Sequence, residues 1–228
     1  MRAKRAFSVM TLIAVLFLAP AGYSAHEYDS TLKQTPSESG IVKRFTDALR
    51  SHNEAEISSI IKNNRDRVPA EIEALLKDAL RPGTVKEDRE ARFYIVERMA
   101  SMYRDVTGDV EILKSVNKRI FESRLSEPVR LKPADGVYTV ESISAGKSDN
   151  VFTPDNIIIK RGSTVRWVNN DDTAHLLASV LTSVGRGGLF SPRVEIGERW
   201  EYRFDTPGEY YYICFIHKVM YGKVTVEE

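Results

Sequence analysis

The feature that most constrains this chain is a short loop near its end that carries three residues able to bind a soft metal ion. Cys214, His217 and Met220 follow one another at three-residue spacing, so a thiolate, an imidazole and a thioether lie close together. Residues 208–214 and 221–226 flank this loop and alternate in character with the two-residue period of a strand. The sequence therefore predicts two strands joined by a loop with three potential metal donors.

This set of donors suits copper, because thiolate and thioether are soft ligands and imidazole is a good copper ligand. Two His and one Cys in a plane, with a weak axial Met, form the blue-copper electron-transfer site, so the loop lacks one His. The chain has four histidines, His26, His52, His175 and His217. Only His175 joins His217 in the strand-rich half, where it follows the alternating residues 164–169. We therefore expect His175 to complete the site.

From about residue 136 to residue 228 the sequence resembles the cupredoxins, the small blue copper proteins, and is most similar to their amicyanin, plastocyanin and pseudoazurin branch. The Cys-x2-His-x2-Met loop has the short spacing of amicyanin. The other matching segments are Phe152-Thr-Pro154, Ile157-Ile-Ile159 with Gly162, Val165-Arg-Trp167-Val-Asn169, His175, Phe204-Asp-Thr-Pro207-Gly208-Glu-Tyr210-Tyr-Tyr212-Ile-Cys214, Gly222, Val224 and Val226.

The resemblance implies a Greek-key β-sandwich that holds one mononuclear copper ion. It implies that Cys214 binds as a thiolate, that His175 and His217 are the other in-plane ligands, and that Met220 is the axial ligand. In this family the second His has an edge near solvent through which electrons pass. The sequence leaves alternatives without a metal open: a buried free Cys214, a surface His217, a loop His175 and a Met220 that fills a gap in the core.

Composition gives weaker bounds on function. The 228 residues carry 33 basic and 32 acidic side chains, so no bulk charge favours a nucleic-acid partner or a membrane surface. A single Cys excludes an internal disulfide.

The start of the chain is typical of a secretory signal peptide, predicted over residues 1–24, with a basic start and a short apolar run. A polar linker is predicted over 25–40. We therefore expect a periplasmic or secreted protein that touches the membrane only through an uncleaved signal peptide.

Helical periodicity marks a second domain over residues 41–130, ahead of the cupredoxin-like domain at 136–228. Five helices are predicted, with a cap at Asn53, a start at Pro69 and a capping box at Thr84 with Glu87. The charged run over 86–92 is predicted to be a solvated helix face. This all-α bundle lacks a haem-attachment motif and paired Glu-x-x-His motifs. It is either a docking surface for a partner or a structural extension.

The fold class predicted is therefore a two-domain α+β chain, with an all-α bundle followed by a β-sandwich. The function predicted is the transfer of single electrons between unidentified redox partner proteins through Cu(II) and Cu(I). We do not expect an enzyme, because the chain lacks His-x-His pairs, a second Cys and the additional His of a second copper site. The alternative is a periplasmic copper-binding, delivery or sensing protein whose helical domain docks a partner. A metal-free interaction module is a third hypothesis.

Overall fold

The computed structural model describes residues 40–144, 150–180, 186–217 and 219–228. The described residues exclude the predicted signal peptide over 1–24 and all of the predicted linker over 25–40 except Gly40. They also exclude Lys218, which lies in the loop from Cys214 to Met220, called the ligand loop below. The chain divides into two compact units, a helical one that ends at Arg124 and a strand-rich one that begins at Leu125.

The described part of the helical unit contains five α-helices, the number predicted. Helix α4 packs against α2, α3 and α5, while α1 packs against α2 and α3. None of these five helices is both long and apolar enough to cross a lipid bilayer. Their bounds are α1 Gly40–Arg50, α2 Glu54–Asn63, α3 Val68–Ala79, α4 Lys86–Thr107 and α5 Glu111–Glu122.

Local chemistry explains where α2 begins and where α4 ends. The side chain of Asn53 accepts a hydrogen bond from the backbone N–H of Glu56 (3.1 Å), so it caps α2 as predicted. Helix α4 ends at Gly108, which takes a left-handed conformation with φ 80°. The capping box predicted at Thr84 is wrong, because its hydroxyl donates to the carbonyl of Arg81 (2.8 Å) and so closes the preceding turn instead.

The charged run at the start of α4 is not the solvated face that was predicted. Arg92 is buried, and its guanidinium pairs with Asp78 (2.8 Å) and Asp88 (3.0 Å). Glu90 is also buried and pairs with Arg124 (2.9 Å). The sequence missed this because a charged residue can enter a helix interface when a partner on another element neutralises it.

The strand-rich unit forms two sheets from the strands found in its described residues. The five-stranded sheet has the order β1-β4-β9-β8-β6, and the four-stranded sheet has the order β3-β2-β5-β7. Strand bounds are β1 Val129–Arg130, β2 Val137–Ser144, β3 Asn150–Thr153, β4 Asn156–Lys160, β5 Ser163–Asn169, β6 Leu177–Ser179, β7 Arg199–Phe204, β8 Gly208–Cys214 and β9 Tyr221–Glu227.

Both sheets contribute to one apolar core, which confirms the predicted sandwich. Val165 and Trp167 on β5 and Phe204 on β7 belong to the same buried cluster as Tyr212 and Cys214 on β8. The ring nitrogen of Trp167 donates to the hydroxyl of Tyr212 (3.1 Å) inside this core. Cys214 therefore lies at the buried end of a strand that pairs with β9 on one side and with β6 on the other.

Candidate metal centre

Three of the predicted ligands come together at one end of the sandwich. Cys214 is the last residue of β8, and His217 follows in the loop that leads to β9. His175 precedes β6, whose residue Leu177 lies directly opposite Cys214 in the antiparallel pair. This register brings a residue 39 positions away along the chain beside the Cys–His loop.

The three donor atoms form a compact triangle. Cys214 Sγ lies 3.5 Å from His175 Nδ1 and 3.6 Å from His217 Nδ1, and the two nitrogens are 3.1 Å apart. The centre of such a triangle lies about 2 Å from each corner, which is close to the length of a metal–imidazole bond. The residues present therefore fit one metal ion bound by two nitrogens and one sulfur.

The ligand loop is held by its own backbone. The N–H of Cys214 donates to the carbonyl of Met220 (3.1 Å), and the N–H of Met220 donates to the carbonyl of His217 (3.1 Å). The backbone N–H of His217 donates to Cys214 Sγ (3.4 Å), which holds the loop close to the sulfur. The N–H of Phe215 also donates to the carbonyl of Leu176 (2.7 Å), which ties this loop to the one that carries His175.

His175 is fixed on both its backbone and its ring. Its backbone exchanges hydrogen bonds with Val194 (3.0 and 2.8 Å). Its Nε2 faces Asp171 Oδ2 at 3.0 Å, and neither side chain is exposed to solvent. Burial and the nearby His217 lower the pKa of His175, and Asp171 opposes this effect. A lowered pKa keeps the imidazole neutral, which is the form that binds a metal.

Solvent reaches the site at His217. Cys214 and His175 are buried, whereas His217 is half-buried. The neighbouring side chains of Phe215, Ile216 and Val219 are all exposed despite being apolar. Three exposed apolar side chains therefore lie within four residues of His217 along the chain, and His217 is the one member of the triangle with access to solvent.

Met220 is fully buried in the same core as Cys214, directly before β9. Its backbone contacts place it at the base of the loop rather than on the surface. Its assignment as the axial ligand stays a prediction.

Two residues that support the site were missed from the sequence. Asp171 lies in the polar segment 169–173, where nothing in the sequence distinguishes it from its neighbours. Ser191 lies on the segment beside β6, where its hydroxyl accepts from the N–H of Leu177 (2.8 Å) and donates to the carbonyl of Pro192 (2.6 Å). Neither has a clear signal in the sequence, because acidic and hydroxyl residues are common in exposed loops and only the fold turns these two inward.

Comparison with known proteins assigns the C-terminal part of the chain to a family. The family of copper-binding proteins that includes plastocyanin and azurin matches residues 139–227. Amicyanin from Paracoccus denitrificans is 33% identical over 94 residues, which cover 41% of this chain and 68% of that protein. Plastocyanin from Scenedesmus fuscus is 35% identical over 89 residues, which cover 34% of this chain and 87% of that protein.

A solved structure of a purple cupredoxin from Nitrosopumilus maritimus is also similar, at 28% identity and a TM-score of 0.36. It covers 40% of this chain and 99% of the other.

The chain belongs to the plastocyanin/azurin family of copper-binding proteins through its C-terminal part. The predicted resemblance is confirmed, and so is copper as the metal of the family. The triangle of His175, Cys214 and His217 can hold one copper ion.

Proposed function

We propose that this chain is an exported protein that carries single electrons through one blue copper ion. Cys214, His175 and His217 would hold the ion, and Met220 would be a weaker fourth ligand. The observation that carries the proposal is the triangle of donors, whose sides of 3.1, 3.5 and 3.6 Å fit one ion. When bound, copper supplies a centre that accepts one electron as Cu(II) and releases it as Cu(I).

The surroundings of the site support electron transfer rather than catalysis. Two of the three in-plane donors are buried and held by backbone hydrogen bonds, so the protein limits how far the ligands move between the two redox states. His217 gives a path to the surface, and the apolar side chains around it suit brief contact with a partner protein. The partner would be another redox protein. The helical domain at 41–130 would dock a partner or support the fold, and the domain at 136–228 would transfer the electrons.

The proposal is tested by loading the full chain with Cu(II) and recording its visible absorption and electron spin resonance. We expect an intense thiolate-to-copper band that bleaches with a reductant and returns with an oxidant. Cys214→Ser removes the sulfur and should abolish the band. His52→Asn is the matched control, since His52 is an exposed His of the helical unit, and the band should survive. A colourless or non-cycling copper complex would favour copper delivery or sensing instead.

Met220 is tested in the same experiment. A Met220→Leu variant fills a similar volume without the thioether. If Met220 is an axial ligand, the band remains while the reduction potential shifts, because the axial ligand tunes the potential. A variant with the potential of the unmodified protein would assign Met220 to core packing alone.

A further inference from the structure

The carboxylate of Asp171 stands behind the proposed ligand His175, on the side away from the triangle of donors. Its Oδ2 faces His175 Nε2 at 3.0 Å, and both side chains are closed to solvent. If Asp171 is ionised, its carboxylate only accepts hydrogen bonds, and this contact then requires His175 to carry its proton on Nε2. The lone pair of Nδ1 then points at Cys214 and His217.

The loop fixes the orientation of this carboxylate. The backbone N–H of Asp172 donates to Asp171 Oδ1 (2.7 Å), which leaves Oδ2 for the imidazole. Asn169 accepts from the N–H of Asp171 (3.0 Å) through its Oδ1. Its amide nitrogen donates to the carbonyls of Thr173 (2.8 Å) and Val194 (3.1 Å), and this closes the loop against the neighbouring segment.

We propose, on the basis of the proposed copper function, that Asp171 is a positioning residue that fixes the ring of His175 and strengthens it as a donor. A carboxylate hydrogen-bonded to a ligand imidazole sets its tautomer and orientation and raises its basicity. A negative charge held in a buried site also favours the more positive of two metal states, because Coulomb interactions strengthen where water is excluded. Asp171 therefore stabilises Cu(II) relative to Cu(I) and lowers the reduction potential.

The variant Asp171→Asn tests this sharply, because the backbone N–H of Asp172 keeps the amide oxygen at the position of Oδ1. The amide NH2 then faces His175 Nε2 and favours the tautomer with its proton on Nδ1, which opposes metal binding. We expect copper affinity to fall by about 10- to 100-fold and the reduction potential to rise. The matched control is Asp172→Asn, which removes the same charge from an exposed neighbour and should change neither quantity appreciably.

Nitrogen-15 NMR of the histidine rings in the metal-free full chain gives a readout independent of copper chemistry. We expect His175 protonated on Nε2 in the unmodified protein and a shift toward Nδ1 protonation in Asp171→Asn. This measurement stands even if the copper complex fails to cycle, so it separates the role of Asp171 from the proposed function.

Unmodified protein with His175 protonated on Nδ1 would overturn the proposal, and this result does not depend on the variant folding. Equal affinities and potentials in Asp171→Asn and Asp172→Asn would also overturn it.

Discussion

At the scale of single residues, Tyr212 restricts which side chain can stand at position 222, near the candidate metal centre. The two residues lie opposite each other on β9 and β8, and a side chain on Gly222 would collide with the Tyr212 ring. That ring cannot swing away, because Phe152 and Trp167 pack against it at ring-centroid distances of 5.0 and 5.5 Å. Burial also raises the pKa of Tyr212, so the hydroxyl stays neutral and available to Trp167.

Gly222→Ala should therefore lower the free energy of unfolding of the strand-rich unit by about 1–3 kcal/mol, the usual cost of overpacking a core. Chemical denaturation followed by tryptophan fluorescence measures this, since both Trp residues lie in that unit. Gly40→Ala is the control, because an added Cβ there meets no atom within 4 Å. Equal stability of the two variants would contradict the steric explanation.

The metal-binding donors of the site were easier to predict from the sequence than the residues that hold those donors in place. Cys214, His217 and Met220 were recognisable because their chemistry is rare and their spacing is local, and His175 followed from the small number of histidines. Asp171 was not recognisable, because its neighbour Asp172 has the same charge in the same loop. Burial distinguishes the two, and burial depends on contacts with segments distant along the chain.

At the scale of elements, α4 carries a buried carboxylate that couples the stability of the helical unit to pH. Glu97 Oε1 is buried without a hydrogen-bond partner among the described residues. Burial raises the pKa of Glu97 to about 8, Arg124 opposes this effect, and Glu90 adds to it. The folded unit therefore keeps a proton that the unfolded chain releases at lower pH.

This gives a defined pH window for stability. Below pH 4.5 Glu97 is protonated in both the folded and the unfolded chain, and its full contribution to the free energy of unfolding is present. As the pH rises toward about 8, Glu97 ionises first in the unfolded chain, and the free energy of unfolding falls. Glu97→Gln, which stays neutral, should flatten this fall and give the more stable protein at the upper end. Thermal unfolding followed by far-UV circular dichroism measures it. Glu87→Gln, an exposed position in the first turn of the same helix, should keep the pH dependence of the unmodified protein.

Most elements were predictable because their apolar residues keep a regular period. The five helices and the strands around the ligand loop have such a period, and each has enough length to reveal it. Strands β1 and β3 were not predicted. Strand β1 has only two residues and exists because it pairs with β4, and β3 has four residues paired with β2. Such short strands are defined by their neighbours rather than by their own pattern.

At the scale of the whole molecule, each unit has a core of its own. One cluster of buried apolar side chains is built from the helices, and the other lies between the two sheets. We therefore expect residues 125–228, expressed alone, to fold and to give the same copper band as the full chain. Residues 40–124 alone should be helical and give no such band. Absorption and circular dichroism of the two pieces and the full chain provide the measurement.

A shorter piece, 136–228, is the matched comparison, because it lacks β1. It loses the parallel pairing of β1 with β4 and the ion pair of Arg130 with Glu227 on β9. We expect it to bind copper with the same spectrum but to unfold at a lower temperature. Failure of the longer piece to fold would contradict the independence of the two units.

The position of β9 in its sheet also determines at which stage of synthesis the complete metal site can form. Strand β9 follows β4 and β8 along the chain but lies in the middle of their sheet, with β4 on one side and β8 on the other. Because translation proceeds from the N-terminus, β4 and β8 are complete before the strand that joins them leaves the ribosome. Until then β8, which ends at Cys214, has no β9 to pair with. A chain truncated before β9 would therefore carry every predicted ligand without the strand that pairs with β8 beyond the ligand loop.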